Sequence, residues 1–192
     1  MLKIKNIAIF ASGNGSNAEN IIKYFENTAT GKVKTVLCNV PNAYVLTRAN
    51  ALGVHSAVFS RDEFYNSDKI INILQHKQID FIVLAGFLWL IPESIIKFYS
   101  NKIVNIHPAL LPNYGGRGMY GNNVHKAVIA DKNKESGITV HYVNEKYDDG
   151  SIIFQAKCEI SETDTPETLA QKIHALEYRY FPEIIESLLM KL

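Results

Sequence analysis

Short apolar runs alternate with amphipathic stretches along most of this chain. Residues 7–10 form an uninterrupted apolar run of strand length, and residues 18–25 then repeat apolar positions at helical spacing. Residues 33–37 predict a second strand, residues 44–52 a helix closed by Gly53, and residues 55–59 a third strand. Residues 67–78 have helical periodicity, with Ile70, Ile71 and Leu74 on one side, before a fourth strand over residues 81–86. Pro92 suits the first turn of a further helix, and Ile103 and Val104 read as the end of another buried strand. A helix is expected over residues 122–130, followed by strand-like runs at 137–143 and 151–156 around a turn at 147–150. Thr165 and Pro166 open a long C-terminal helix, with a break expected at Pro182, because a proline inside a helix removes one backbone hydrogen bond.

Strands that are apolar on both faces and alternate with helices need cover on both sides. The pattern therefore predicts an α/β fold: a single domain, residues 1–192, with an open, mostly parallel twisted sheet and helices on both faces. Composition leaves this picture intact. The 192 residues suit one core, and 20 basic against 19 acidic residues leave a net charge of +1, so no nucleic-acid partner is expected. Cys38 and Cys158 lie far apart with no metal-ligand spacing, so they read as reduced packing residues and no metal is expected. No apolar run reaches membrane-spanning length, and the N-terminal stretch from Met1 to Lys5 runs straight into a strand without a signal-peptide core. A soluble cytoplasmic protein with no membrane partner is the expectation.

In a sheet of this kind ligands bind at the carboxyl ends of the strands. Three such ends carry distinctive chemistry. After the first strand, residues 12–17 are a glycine-rich turn opening a helix, which presents backbone N–H groups to an anion; Ser16 or Asn17 can cap the helix or bond a phosphate. A tight turn needing glycine for its dihedrals explains the same residues. After the fourth strand, Phe87, Leu88, Trp89, Leu90 and Ile91 form an apolar segment suited to a flat aromatic ligand, or simply to a helix start with Trp89 in the core. The third end is Asn105-Ile-His-Pro108. Alternate strand residues point the same way, so Asn105 and His107 can face one cleft, while Pro108 restricts His107 to extended backbone. His107 as a turn residue packed on Pro108 is the plainer alternative.

Further along, residues 113–121 carry four glycines in nine residues, as a mobile or ligand-wrapping loop would. Thr139 and His141 alternate with apolar neighbours and can line the same cleft. Asp148 and Asp149 make a turn, or one of them reaches His107 to orient the ring. On the C-terminal helix His174 and Glu177 share a face, with Tyr178 and Phe181 continuing toward the core; spacing alone favours an exposed helical pair.

Taken in order, Ser12-Gly-Asn-Gly-Ser-Asn17, Leu84-Ala-Gly-Phe87, Asn105-Ile-His-Pro-Ala-Leu-Leu-Pro112, Gly137-Ile-Thr-Val-His141 and Asp148-Asp-Gly150 span nearly the whole chain. In sequence and spacing they resemble the folate-dependent formyltransferase family, and within it the phosphoribosylglycinamide formyltransferases. The resemblance implies a Rossmann-like formyltransferase fold. It also implies transfer of a formyl group from 10-formyltetrahydrofolate, as co-substrate, to the glycinamide amine of a phosphoribosyl substrate, in de novo purine synthesis. It assigns Asn105, His107 and Asp148 to catalysis; Gly15, Ser16 and Asn17 to the substrate phosphate; and Glu177, with His174 and Pro108 nearby, to the rest of that substrate. The folate would lie on Leu88, Trp89, Leu90 and Ile91, with Arg61 near its tail and Asn105, Thr139 and His141 beside it. Partners would be these small molecules, with the protein a monomer or homodimer.

This chain departs from the family pattern at Trp89, where an arginine is common, at Asp149, where many relatives have glycine, and in the length of loop 115–121. Rival readings are a formyltetrahydrofolate deformylase, which normally carries an extra N-terminal domain; a methionyl-tRNA formyltransferase, which normally carries a basic C-terminal one; and a non-enzymatic nucleotide-binding module.

Overall fold

In the computed structural model, which describes residues 3–192, the alternating pattern becomes one seven-stranded sheet. Met1 and Leu2 of the N-terminal stretch lie outside the described residues. The strands are β1 (Lys5–Ala11), β2 (Gly31–Cys38), β3 (Ser56–Val58), β4 (Phe81–Leu84), β5 (Ile103–His107), β6 (Glu135–Tyr142) and β7 (Ile152–Glu159). Their order is β3-β2-β1-β4-β5-β6-β7, with the first five parallel, β6 antiparallel to β5 and β7 antiparallel to β6. The helices are α1 (Ser16–Phe25), α2 (Tyr44–Ala51), α3 (Arg61–Tyr65), α4 (Lys69–His76), α5 (Glu93–Phe98), α6 (Asn122–Ala130) and α7 (Pro166–Leu189).

Strand β1 shows why its sequence has no polar residue from Ile7 to Ala11. Ile7, Ile9 and Ala11 enter one core with Phe25, Phe181 and Ile185, while Ala8 and Phe10 enter a second core with Phe64, Leu74 and Ile95. Both faces of the sheet are therefore covered, as the apolar runs require. Because the chain leaves β1 toward β2 on one side and later returns to β4 on the other, the connections at their carboxyl ends diverge. That divergence opens a crevice at the switch point. Cys38 is buried and Cys158 half-buried, and neither is bonded to another cysteine.

Four expectations are corrected. Helix α7 does not break at Pro182 but continues to Leu189. The carbonyl that Pro182 leaves without its helical donor belongs to Tyr178, four residues earlier, and it accepts a hydrogen bond from Asn20 Nδ2 of α1 at 2.9 Å. A neighbouring helix thus replaces the missing N–H, and the proline ring is buried. Tyr178 is exposed, not directed to the core, whereas Phe181 is fully buried. Strand β4 stops at Leu84, two residues early, because Gly86 takes a positive φ of 72° that ends the extended backbone. The short helix α3 was absent from the expected elements; its signal is the capping box of Ser60 and Glu63, whose side chains and backbone N–H groups bond reciprocally.

Candidate active site

The crevice holds a cavity of about 620 Å³. Its floor begins with the turn after β1. Gly15 stands at the N-cap of α1 with φ of 76°, and a Cβ there would lie 2.7 Å from the Val45 Cα, so only glycine satisfies both the handedness and the close approach of α2. Neither Ser16 nor Asn17 caps the helix, and no other side chain among the described residues does. The first-turn N–H groups are left to face the cavity with the positive end of the helix dipole behind them. Arg48 of α2 fixes the turn from outside, its Nε donating to the Asn14 carbonyl at 3.0 Å and its Nη2 to Asn14 Oδ1 at 2.9 Å, while also pairing with Glu19.

Asn17 instead turns its side chain to the far end of the chain. Its Nδ2 donates to Glu177 Oε2 at 2.8 Å, a bond between residues 160 apart in sequence. Glu177 is buried, and that burial pushes its carboxyl up to about 7 against the smaller opposing effect of the Asn17 bond. The Asn17 Oδ1 is also buried and has no partner among the described residues. Both groups line the cavity, as does His174, one turn earlier on α7 and stacked on Tyr178.

Opposite this pair, β5 delivers Asn105 and His107 two residues apart, with both side chains in the cavity beside Pro108. His107 is 3% exposed, its Nε2 donates to the Tyr114 carbonyl at 2.7 Å, and its Nδ1 lies 3.5 Å from Asp148 Oδ2. The carbonyl requires a proton on Nε2, so in the neutral ring the Nδ1 lone pair is the free position. Burial holds the His107 pKa below the ordinary imidazole range. The Asp148 charge and the Tyr114 carbonyl push it up, but not far enough to reverse the sign. An imidazolium at rest, as a bare His–Asp pair would suggest, is thereby replaced by a neutral ring.

For Asp148 burial works toward the neutral acid, yet the His141 and His107 imidazoles beside it and the Gly116 N–H, which donates to it at 2.9 Å, together hold its pKa below the usual carboxylate range. Asp149 is half exposed and accepts a hydrogen bond from Asn144, with a Lys146 ammonium 3.9 Å away, and of the two turn aspartates only Asp148 faces the cavity. Asn105 Nδ2 donates to His141 Nε2 at 3.1 Å and more loosely to Asp148 Oδ1 at 3.4 Å. His141 Nδ1 in turn meets the Tyr142 carbonyl at 2.8 Å, which keeps Nε2 as an acceptor.

Not every expected site residue reaches the cavity. His141 stands behind Asn105 and orients it. Thr139 is fully buried, and its hydroxyl donates to the Ala109 carbonyl at 2.6 Å while accepting from Leu111 N at 3.0 Å and Gln155 Nε2 at 2.9 Å. It therefore braces the turn after β5 and has no capacity left for a ligand. Of the 88–91 segment only Leu88 lines the cavity. Ile91 is in the core, Trp89 packs edge-on against Phe59 with ring centroids 6.0 Å apart, and the Leu90 carbonyl accepts from Tyr65 Oη at 2.9 Å. Arg61 lies outside the cavity, with its guanidinium 5.1 Å above the Tyr65 ring and 5.6 Å from the Trp89 ring.

Three contributors had not been singled out. Tyr114 and Gly116 act through the backbone, which sequence patterns do not reveal. His125 on α6 is buried and lines the cavity, and its only sequence signal is a histidine between Val124 and Val128 on the apolar face of a helix. Among the described residues no group of three or more His, Cys, Asp or Glu side chains is placed to hold a metal, and no helix is long and apolar enough to cross a membrane.

Comparison with known proteins gives a consistent outcome. Residues 5–185 match the family model described as formyl transferase. The chain is 39% identical over 191 residues to the phosphoribosylglycinamide formyltransferase of Bacillus subtilis (strain 168), covering 97% of this chain and 95% of that one. It is 36% identical to the chloroplastic phosphoribosylglycinamide formyltransferase of Arabidopsis thaliana, covering 94% of this chain and 64% of that longer relative. Among solved structures, the phosphoribosylglycinamide formyltransferase from Bacillus halodurans superimposes with a TM-score of 0.87 at 37% identity, covering 97% of this chain and 96% of that one.

Proposed function

The chain belongs to the formyl transferase family, and on that premise we propose that it moves a formyl group from 10-formyltetrahydrofolate to the amine of 5'-phosphoribosylglycinamide. The products are the N-formyl amide and tetrahydrofolate, a step of purine biosynthesis. One observation carries the reading of the acceptor: the uncapped helix N-terminus at Gly15, the carboxyl of Glu177 and the Asn105–His107–Asp148 group line a single cavity. Such a cavity accommodates a phosphate, a sugar and an amine joined in one molecule. A deformylase, which passes the formyl group to water, has no use for the first two.

The formyl donor supplies an activated carbonyl carbon and a nitrogen leaving group. Its flat ring suits the exposed apolar side chains of Leu88 and Tyr147 at the cavity wall, while Arg61, outside the cavity beside Trp89, suits a carboxylate tail that extends out of it. His107, neutral at rest with a free Nδ1, accepts the proton that the amine must lose as its nitrogen bonds to the formyl carbon. Asp148 then stabilises the cationic ring. Asn105 turns its more loosely held N–H to the oxygen that becomes negative, while His141 keeps the amide aligned. As the carbon–nitrogen bond to the folate breaks, His107 returns the proton to the departing nitrogen, leaving no net proton change. Such an enzyme needs neither nucleic acid nor membrane, and would work in the cytoplasm as a monomer or homodimer.

The test is formyl transfer from 10-formyltetrahydrofolate with and without phosphoribosylglycinamide. Tetrahydrofolate release that depends on the amine is expected; equal release in its absence would establish a deformylase instead.

A further inference from the structure

His125 has no part in the chemistry above, yet its environment is that of a binding group. It projects from α6 and is 3% exposed; its Nδ1 is sealed from solvent without a hydrogen-bond partner among the described residues, and its ring lines the central cavity. A sealed, unpartnered Nδ1 leaves Nε2 as the ring nitrogen through which His125 can serve a ligand. Its position narrows the choice. His125 is close enough to both His174 and His107 for a positive charge on either to be felt. His174 belongs with Glu177, where the sugar is placed, and His107 with the reacting amine. The part of the acceptor between sugar and amine is its amide linkage.

We propose that His125 binds the glycinamide amide of the acceptor, donating a hydrogen bond from Nε2 to the amide carbonyl; this inference rests on the acceptor assigned above. The tautomer follows from burial. A sealed N–H is rarer and costlier than a sealed lone pair, so the proton belongs on Nε2, the nitrogen left to serve the cavity. Burial, with lesser contributions from His174 and then His107, lowers the His125 pKa to about 4, so the ring is a neutral donor at every pH where the enzyme would work. A neutral donor suits an amide, whereas the phosphate already has the helix N-terminus. His125 would thus measure the length of the acceptor, seating the amine at His107 only when an amide of the right span joins it to the sugar.

The experiment compares wild type, His125→Ala and His125→Asn by steady-state kinetics with both substrates, together with inhibition by ribose 5-phosphate, which carries phosphate and sugar but no amide. Loss of one neutral hydrogen bond predicts a rise of about 3- to 10-fold in KM for phosphoribosylglycinamide in His125→Ala. The folate KM and the ribose 5-phosphate inhibition constant should stay within about 2-fold of wild type, and the side-chain amide of His125→Asn should recover part of the loss. If ribose 5-phosphate weakens by the same factor as the acceptor, His125 only supports the walls of the pocket and the inference is overturned. An unchanged acceptor KM in His125→Ala overturns it as well. If wild type shows no turnover with this amine, the acceptor assignment and the inference both fall, an outcome distinct from the other two.

Discussion

Replacing Glu177 by glutamine should make the unliganded protein more stable and a worse binder at the same time. Glu177 is 5% exposed, and in the folded state its carboxyl is raised from 4.5 to about 7, chiefly by burial. A carboxyl with a raised folded-state pKa favours folding fully below pH 4.5, and that contribution is lost as pH rises through about 7. By pH 8 the rise corresponds to about 3 kcal/mol of instability carried by the wild-type chain. Glu177→Gln removes the charge and keeps an acceptor for Asn17 Nδ2, but it must bury an amide N–H, which offsets about 1 kcal/mol. A net gain of about 2 kcal/mol, or about 4–8 °C in Tm, is expected at pH 8. At pH 5.5 the carboxyl is neutral in the fold, the wild-type cost falls to about 1 kcal/mol, and the two proteins should melt together. The assay is thermal unfolding without ligand at both pH values, paired with the acceptor KM at pH 8, which should rise about 10- to 100-fold through loss of charged hydrogen bonds to the sugar. A variant no more stable than wild type at pH 8, or a gap that persists at pH 5.5, would refute the reasoning that the buried carboxylate is an energetic liability kept for binding.

Asp148→Asn should lower kcat by about 100-fold or more, since the cationic His107 loses the carboxylate 3.5 Å away, and the acid limb of the pH–rate profile should move to lower pH because Asp148 raises the His107 pKa. Asp149→Asn, at a half-exposed turn, should be close to wild type in the same kinetics; a dead Asp149→Asn beside an active Asp148→Asn would exchange the two assignments. Trp89→Ala should raise the folate KM only a few-fold and preserve turnover, because the indole packs on Phe59 and Phe64 and does not line the cavity; a folded but inactive variant would contradict this. Inorganic phosphate should compete with phosphoribosylglycinamide and not with the folate if the uncapped start of α1 is the phosphate site, a pattern that inhibition kinetics will decide. Asn20→Ala should lower Tm by about 2–4 °C, the equivalent of about 1 kcal/mol, by stripping the Tyr178 carbonyl of its donor, with helix content by circular dichroism nearly unchanged.

Much of the architecture was legible in the chain. A strand buried on both faces must be apolar where it is buried, and residues 7–11 of β1 and all of β4 are, so periodicity alone revealed strands, helices and the need for cover on both sides. Glycines and prolines marked the carboxyl ends where Asn105, His107 and the Gly15 turn stand. The spacing of two that brings Asn105 and His107 into one cavity is a property of any strand.

What only the tertiary structure decided are matters in which distant segments exclude water together. Pro182 is tolerated because Asn20, from another helix, satisfies the carbonyl it strands. Thr139, on the expected alternation, spends its hydroxyl on the Ala109–Leu111 turn and not on a ligand. Glu177 is buried only because α7 lies against α1, where Asn17 meets it across 160 residues. His107 is neutral at rest because burial outweighs the aspartate beside it, and His125 faces the cavity because α6 packs its apolar side inward. Local sequence encodes which way a side chain points relative to its own backbone. The dielectric around that side chain, and the partner that satisfies it, exist only once the chain has closed around it.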